Sequence, residues 1–388
     1  MAKKKRYKIA YVTPIDPSDA TNSSGVYFFQ RKSMQEHIGE IETLGPVHVL
    51  SIKLLRKLFR ELFKNSTKKY ILSHSVLISK IYGRVFSRKI KKGNYDLIFG
   101  DRTSNEMAYI KTLTPIIYST DATFDAIHDY YPFYSNLTRL SIFEGNKIEH
   151  TILKKSSAII CASKWASDSV IQKYKIMPQK VFTLLRGANL NTIPERNQIL
   201  ALKHNSCKLL FVGKDWKRKG GDIAYEAFLE LKKMKIKVHF TIIGCSPPIS
   251  DPDVSIIPNI NKNFEEHRQI YDKILKETAF LLLPTRGECF GIIFAEVSAY
   301  GIPSIATCTG GVSSAVLNGK TGYLLPISAR GNEYAMLIKN LFIDKGKYNR
   351  FRQASRDYHE QHLNWDSWSK KLKTIIDEKL IKSCQSKF

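Results

Sequence analysis

The chain has 388 residues, enough for two domains of ordinary size, and 43% hydrophobic content, so each half can bury a core. No apolar run approaches a membrane span, and the opening MAKKKR carries no apolar signal segment, so a secreted or membrane-spanning protein is not expected. The net charge of +26 calls for anionic partners, whether nucleic acid, phospholipid headgroups or phosphorylated ligands, and six scattered cysteines without CxxC spacing read as reduced thiols with no structural metal.

Lys8 to Thr13 (KIAYVT) reads as a first strand. A Ser-rich loop ending at Gly25 follows, and Val26 to His37 has helical periodicity. A strand feeding a Ser/Gly loop and a helix start is an anion-binding geometry. Val47 to Ile52 reads as the second strand. Residues 51–92 then hold thirteen Lys/Arg against one acid, Glu61. Within them Lys53 to Lys64 (KLLRKLFRELFK) is amphipathic at helical period. Leu54, Leu55, Leu58, Phe59, Leu62 and Phe63 form the apolar side, and Lys53, Arg56, Lys57, Arg60 and Lys64 the basic side. Two readings stay open: the apolar side packs on the first domain's sheet, or it lies on an anionic membrane surface. Nucleic acid is not expected, because no helix-turn-helix, zinc-finger or RNP-like motif accompanies the charge.

Tyr95 to Gly100 and Pro115 to Ser119 read as further strands. Asp121 follows the second, where open α/β sheets place ligand contacts; a helix N-cap is the competing role. The aromatic cluster Tyr130, Tyr131, Phe133 and Tyr134 reads as packing or an acceptor groove. Glu144 to Lys155 reads as a helix, Ser156 to Tyr174 as a strand and capped helix, and Val181 to Leu185 as the last strand of this half. The second half opens with Lys208 to Gly213, a loop with Arg218-Lys219-Gly220, and a long helix. That combination suits a diphosphate. Val238 to Gly244 is a strand. Asp251-Pro-Asp253 sits among prolines and reads as a surface loop rather than a metal site.

Ala279 to Leu283 (AFLLL) reads as a buried strand, Thr285 to Phe290 as a polar loop, and Gly291 to Tyr300 as a helix ended by Gly301. Glu288 lies in the loop and Glu296 in the helix, eight positions apart. Trp365 to Leu380 reads as a final amphipathic helix.

The stretch PTRGECFGIIFAEVSAYG (Pro284 to Gly301), with Gly301-Ile-Pro303, Thr309-Gly310-Gly311 and Asn318 to Tyr323, resembles the retaining glycosyltransferases of family 4. The likeness is strong in the C-terminal half and loose in the N-terminal half. It implies an α/β protein of GT-B architecture, two doubly wound Rossmann-like domains facing a central cleft. Residues 1–190 would form an acceptor-binding domain, 191–206 a linker and 207–364 a nucleotide-sugar-binding domain, with a C-terminal helix, about 365–388, crossing back onto the first. It implies an enzyme, which the scattered reduced cysteines place in the cytoplasm; if the basic segment 51–92 lies on lipid rather than on the sheet, the enzyme is peripheral on the cytoplasmic face of a membrane. A sugar would move from a nucleoside-diphosphate sugar to a glycan or lipid-linked acceptor in polysaccharide or glycoconjugate synthesis, with no metal and no further cofactor. Glu288 would position the donor sugar and Glu296 the ribose. Arg218, Lys219 and the main-chain amides of Phe290, Gly291 and Ile292 would hold the pyrophosphate. Gly25 would stand in the family's glycine loop, which here keeps one glycine. Asp121 would occupy the place of the family's histidine, and Gly310-Gly311 lacks the Pro-Glu pair that usually follows. The rival expectations are a basic membrane- or nucleic-acid-docking protein on the same scaffold, and a related sugar phosphorylase or synthase.

Overall fold

The computed structural model describes residues 6–64 and 66–385. Lys3 to Lys5 of the basic terminus, Asn65 of the basic segment and 386–388 of the expected C-terminal helix lie outside the described residues. The chain divides into two compact units: Met1–Asn22, Tyr27–Leu184 and Ser369–Phe388 in the first, Ser23–Val26 and Leu185–Trp368 in the second.

The first unit runs β1 (Tyr7–Val12), α1 (Val26–His37), β2 (Gly39–Leu44), α2 (Leu50–Leu62), α3 (Val76–Lys92), β3 (Leu97–Asp101), α4 (Ser104–Met107), β4 (Ile116–Thr120), α5 (Phe124–Ile127), α6 (Arg139–Lys155), β5 (Ala158–Cys161), α7 (Lys164–Gln172) and β6 (Val181–Thr183). Its six strands are parallel, in the order β2-β1-β3-β4-β5-β6. Strands such as β3 and β5 are covered on both faces, and therefore read as unbroken apolar runs.

The second strand is not where the apolar run Val47 to Ile52 suggested. It is β2, GEIETL, an edge strand in which Ile41 points inward while Glu40 and Glu42 face water. Gly39 is required there: a Cβ would sit 1.9 Å from the Tyr7 carbonyl oxygen of the neighbouring strand. Ile52 is instead a buried residue of α2. The first unit's long helix α6 begins at Arg139, earlier than the pattern indicated, because the Thr138 side chain accepts from the Ser141 N–H and caps it.

The second unit runs α8 (Arg196–Leu200), β7 (Cys207–Val212), α9 (Gly221–Lys233), β8 (Val238–Ile243), β9 (Val254–Ile257), α10 (Glu265–Glu277), β10 (Phe280–Leu283), α11 (Ile292–Ala299), β11 (Ser304–Thr307), α12 (Val312–Ala315), β12 (Gly322–Leu325), α13 (Gly331–Ile343) and α14 (Lys345–His362). Its sheet is again parallel and six-stranded, ordered β12-β11-β10-β7-β8-β9. The stretch 191–206 folds as part of this unit. Arg352 donates to the carbonyls of Ile199 and Leu202 at the end of α8, and Arg196 pairs with Glu360 at 2.8 Å.

The last helix, α15 (Trp365–Gln385), groups with the first unit from Ser369 onward. Its Asp377 accepts from the Tyr7 hydroxyl at 2.5 Å, and Ser369 bonds Ser33 at 2.8 Å. Five of the six cysteines have described side chains and all five are free; the Cys384 side chain lies outside the described residues.

Candidate functional site

Chain order sets the site of the second unit. From β7 the chain moves outward through β8 and β9, then returns to the other side of β7 as β10 and continues outward. The loops after β7 and β10 therefore leave adjacent carboxyl ends in opposite directions. Open parallel sheets bind ligands at such a reversal.

The two loops are pinned to each other. Gly220, at φ +74, lies so close to the loop after β10 that a Cβ would fall 1.8 Å from the Pro284 carbonyl oxygen. The Arg286 N–H donates to the Arg218 carbonyl at 2.8 Å, and the Arg286 guanidinium grips Asp222 at 2.8 Å through both nitrogens. Arg218 donates to the Gly287 carbonyl at 2.8 Å. Lys219 pairs with Glu288, both largely buried, so two of the sequence-predicted residues meet directly. The Gly311 N–H donates to the Glu288 carbonyl at 3.1 Å, which brings the double-glycine turn to the same loop. Lys214 is exposed on the rim.

Phe290 is buried and Gly291, at φ +82, starts α11 without a side-chain cap. The first-turn N–H groups of a helix lack acceptors within it, so those at Gly291 and Ile292 suit an anion. Glu296 is only 3% exposed, one turn into this helix. Its Oε1 accepts from Lys262 Nζ at 2.6 Å and its Oε2 from the Tyr271 hydroxyl at 2.6 Å. Lys262 also donates to the Asn189 carbonyl at 3.3 Å and lies 4.6 Å from the Tyr271 ring centroid. Burial, then the Glu296 charge, then the hydrogen bond to it push the Tyr271 hydroxyl well above its ordinary value, so it stays a donor.

Lys262, Tyr271, Arg286 and Asp222 were not singled out from the sequence. Nothing in the sequence around Lys262 couples it to a residue 34 positions away. Asp251 and Asp253 are both held by Lys232, at 2.9 and 2.8 Å, as a surface loop would be.

In the first unit the sheet reverses between β1 and β3. Arg102, immediately after β3 and at φ +51, bonds Asp101 at 2.9 Å, lies 3.8 Å from Asp121 and covers the Tyr27 ring. Burial alone would lower the Arg102 pKa, but Tyr27, Asp101 and Asp121 outweigh it and hold the guanidinium charged. Asp121 is not the helix cap. Thr123 is, accepting from the Ala126 N–H, so Asp121 is left beside Arg102. Gly25, at φ +85, ends a short turn just before α1, and its neighbour Ser24 accepts from Asn189 at 2.7 Å; that turn groups with the second unit. The aromatic cluster is chiefly packing: Tyr134 meets Phe124, His74 and Phe133 edge-on, and Tyr130 meets Trp165.

Residues 206–344 match the family model described as glycosyl transferases group 1. That stretch, 139 of the 388 residues, is similar to a glycosyl transferases group 1 domain. It contains every residue of the β7–β10 site except Asn189. A D-inositol 3-phosphate glycosyltransferase of Catenulispora acidiphila is 24% identical over 251 residues, covering 59% of this chain. The match spans 58% of that relative's length. Sucrose-phosphate synthase from Thermosynechococcus elongatus superposes with a TM-score of 0.68 at 15% identity, covering 97% of this chain and all of that one. Anabaena HepE, solved with UDP-glucose, gives 0.60 at 14% identity over 98% of this chain and all of its own. At those identities the likeness speaks for the fold, which is GT-B: two α/β units, each on a parallel six-stranded sheet.

Proposed function

We propose that this protein is a retaining glycosyltransferase that draws its sugar from a nucleoside-diphosphate sugar, with a UDP-sugar as the first donor to test. The observation that carries this is the loop pair after β7 and β10, where Arg218 and Lys219 stand against Glu288 and the start of α11. The solved HepE complex with UDP-glucose supports the choice of donor.

In this reading the main-chain amides of Phe290, Gly291 and Ile292, with Arg218 and Lys219, hold the pyrophosphate. As the bond from the anomeric carbon to the diphosphate oxygen breaks, negative charge grows on that oxygen, and these fixed cations stabilise it without calling on a metal ion. The acceptor hydroxyl forms its bond on the same face, and its proton passes to the departing phosphate oxygen. Glu288 is already compensated by Lys219. A paired carboxylate is a weak nucleophile, which favours a sugar-positioning role over a covalent intermediate. Glu296 takes the ribose hydroxyls with the oxygen lone pairs that Lys262 and Tyr271 leave over. Asp121, beside Arg102, orients an acceptor hydroxyl, and the Gly25 backbone is a donor contact. The acceptor class is a glycan or a lipid-linked sugar.

Calorimetric titration with UDP and UDP-glucose tests the donor site. The parent should bind, and Arg218→Ala should weaken binding at least tenfold. With a competent acceptor, Glu288→Ala and Arg218→Ala should each slow transfer at least about a hundredfold, the scale of losing one transition-state contact. Transfer by both variants at the parent rate would remove this site from the reaction.

A further inference from the structure

The helix α2 carries three kinds of side chain on three sides. One side faces the unit: Ile52 is buried, Leu55 packs on the core, and Phe59 and Phe63 stack on Tyr70 at 5.2 and 4.8 Å. The apolar residues expected on one face are thus split. Leu50, Leu54, Leu58 and Leu62 do not pack inward; they are 72, 61, 55 and 66% exposed. Spaced by four, they form a single ridge about 18 Å long on the water side. At roughly 100° per residue, another water-facing flank belongs to Lys53, Lys57 and Arg60, all exposed, and the exposed Lys64 follows just past the helix's end.

We infer that this leucine ridge and its basic flank are a docking surface for an anionic lipid bilayer. The inference rests on α2 alone and not on the donor site. The leucines supply the apolar edge that enters the headgroup boundary, and the flank supplies charge opposite to the lipid phosphates. A nucleic acid would use the cations but leave the leucines in water. A second copy of the chain would bring the same four cations to the contact, and like charge opposes it. The surrounding segment, thirteen Lys/Arg against one acid over 51–92, extends the attraction beyond the helix.

Flotation of the full chain with vesicles tests this. Vesicles of phosphatidylcholine with about 30% phosphatidylglycerol should carry the protein, and pure phosphatidylcholine should carry it at least tenfold less. Leu54→Ser with Leu58→Ser should cut partitioning at least tenfold, since both side chains lose apolar burial in the interface while the fold keeps its core contacts. Replacing Lys53, Lys57, Arg60 and Lys64 by Gln should cut it further, at about fivefold per charge. Leu58→Trp should show a blue-shifted emission on the anionic vesicles and none on neutral ones. The inference fails if the parent does not float. It also fails if the double Leu→Ser variant floats like the parent, which would mark adsorption by net charge alone. A parent that sediments as a dimer, separated by the same double variant, would assign the ridge to a second copy instead.

Discussion

Replacing Lys262 by Met would isolate one charge in the core of the second unit. Glu296 is 3% exposed and its Lys262 partner stands 2.6 Å away. At that distance the attraction is about 6 kcal/mol for an effective dielectric near 20, against the cost of taking both groups out of water. Removing only the lysine leaves the carboxylate buried and held by the Tyr271 hydroxyl alone, a loss of about 3–5 kcal/mol in unfolding free energy. Adding Glu296→Gln removes the orphaned charge, so the double variant should recover most of that loss, and the cycle isolates the pair. Urea unfolding followed by tryptophan emission reads the stability. Nucleotide titration of the same variants reads the proposed donor site, where Lys262→Met should weaken UDP if Glu296 holds the ribose as proposed. A single variant as stable as the parent, with the double variant no better, would refute the reasoning. It would mean that water or rearrangement compensates Glu296 at no cost.

Gly220→Ala should unfold or open the β7–β10 loop pair, because the new Cβ meets the Pro284 carbonyl in a backbone region that L residues avoid. The check is loss of UDP binding together with a lowered melting temperature, and unaltered binding would contradict the close approach. Burial pushes Glu149 up to about 7, against the weaker opposing pull of hydrogen bonds from Ser104 and Tyr118, and Glu106 is likewise raised to about 7. The folded state therefore keeps protons that the unfolded chain gives up near 4.5, so stability should fall as pH rises from about 5 to about 7 and then level off. Glu149→Gln should flatten part of that slope and add up to about 3 kcal/mol at pH 8, read from melting curves; a slope equal to the parent's would contradict it.

Much of this protein could be read one segment at a time. AFLLL followed by a polar loop and GIIFAEVSAY already spells β10 and α11, because a strand buried on both faces and a helix start are local patterns. Arg218, Lys219 and Glu288 were legible for the same reason, each sitting in the loop that follows a strand, and Glu296 because it lies in the helix which the second of those loops opens. Local pattern failed at β2, where an edge strand needs only one apolar face, and at α2, where periodicity could not tell which leucines the core would take.

Composition and short-range spacing determined the alternation of strands and helices, the excess of cations and the residue types at the carboxyl ends of β7 and β10. Tertiary structure decided which charges meet. Lys219 reaches Glu288 across 69 residues and Lys262 reaches Glu296 across 34, because the chain reverses its order at β7 and returns beside it. A parallel crossover joins distant segments at one sheet edge, and no periodicity within either segment encodes the partner it finds there.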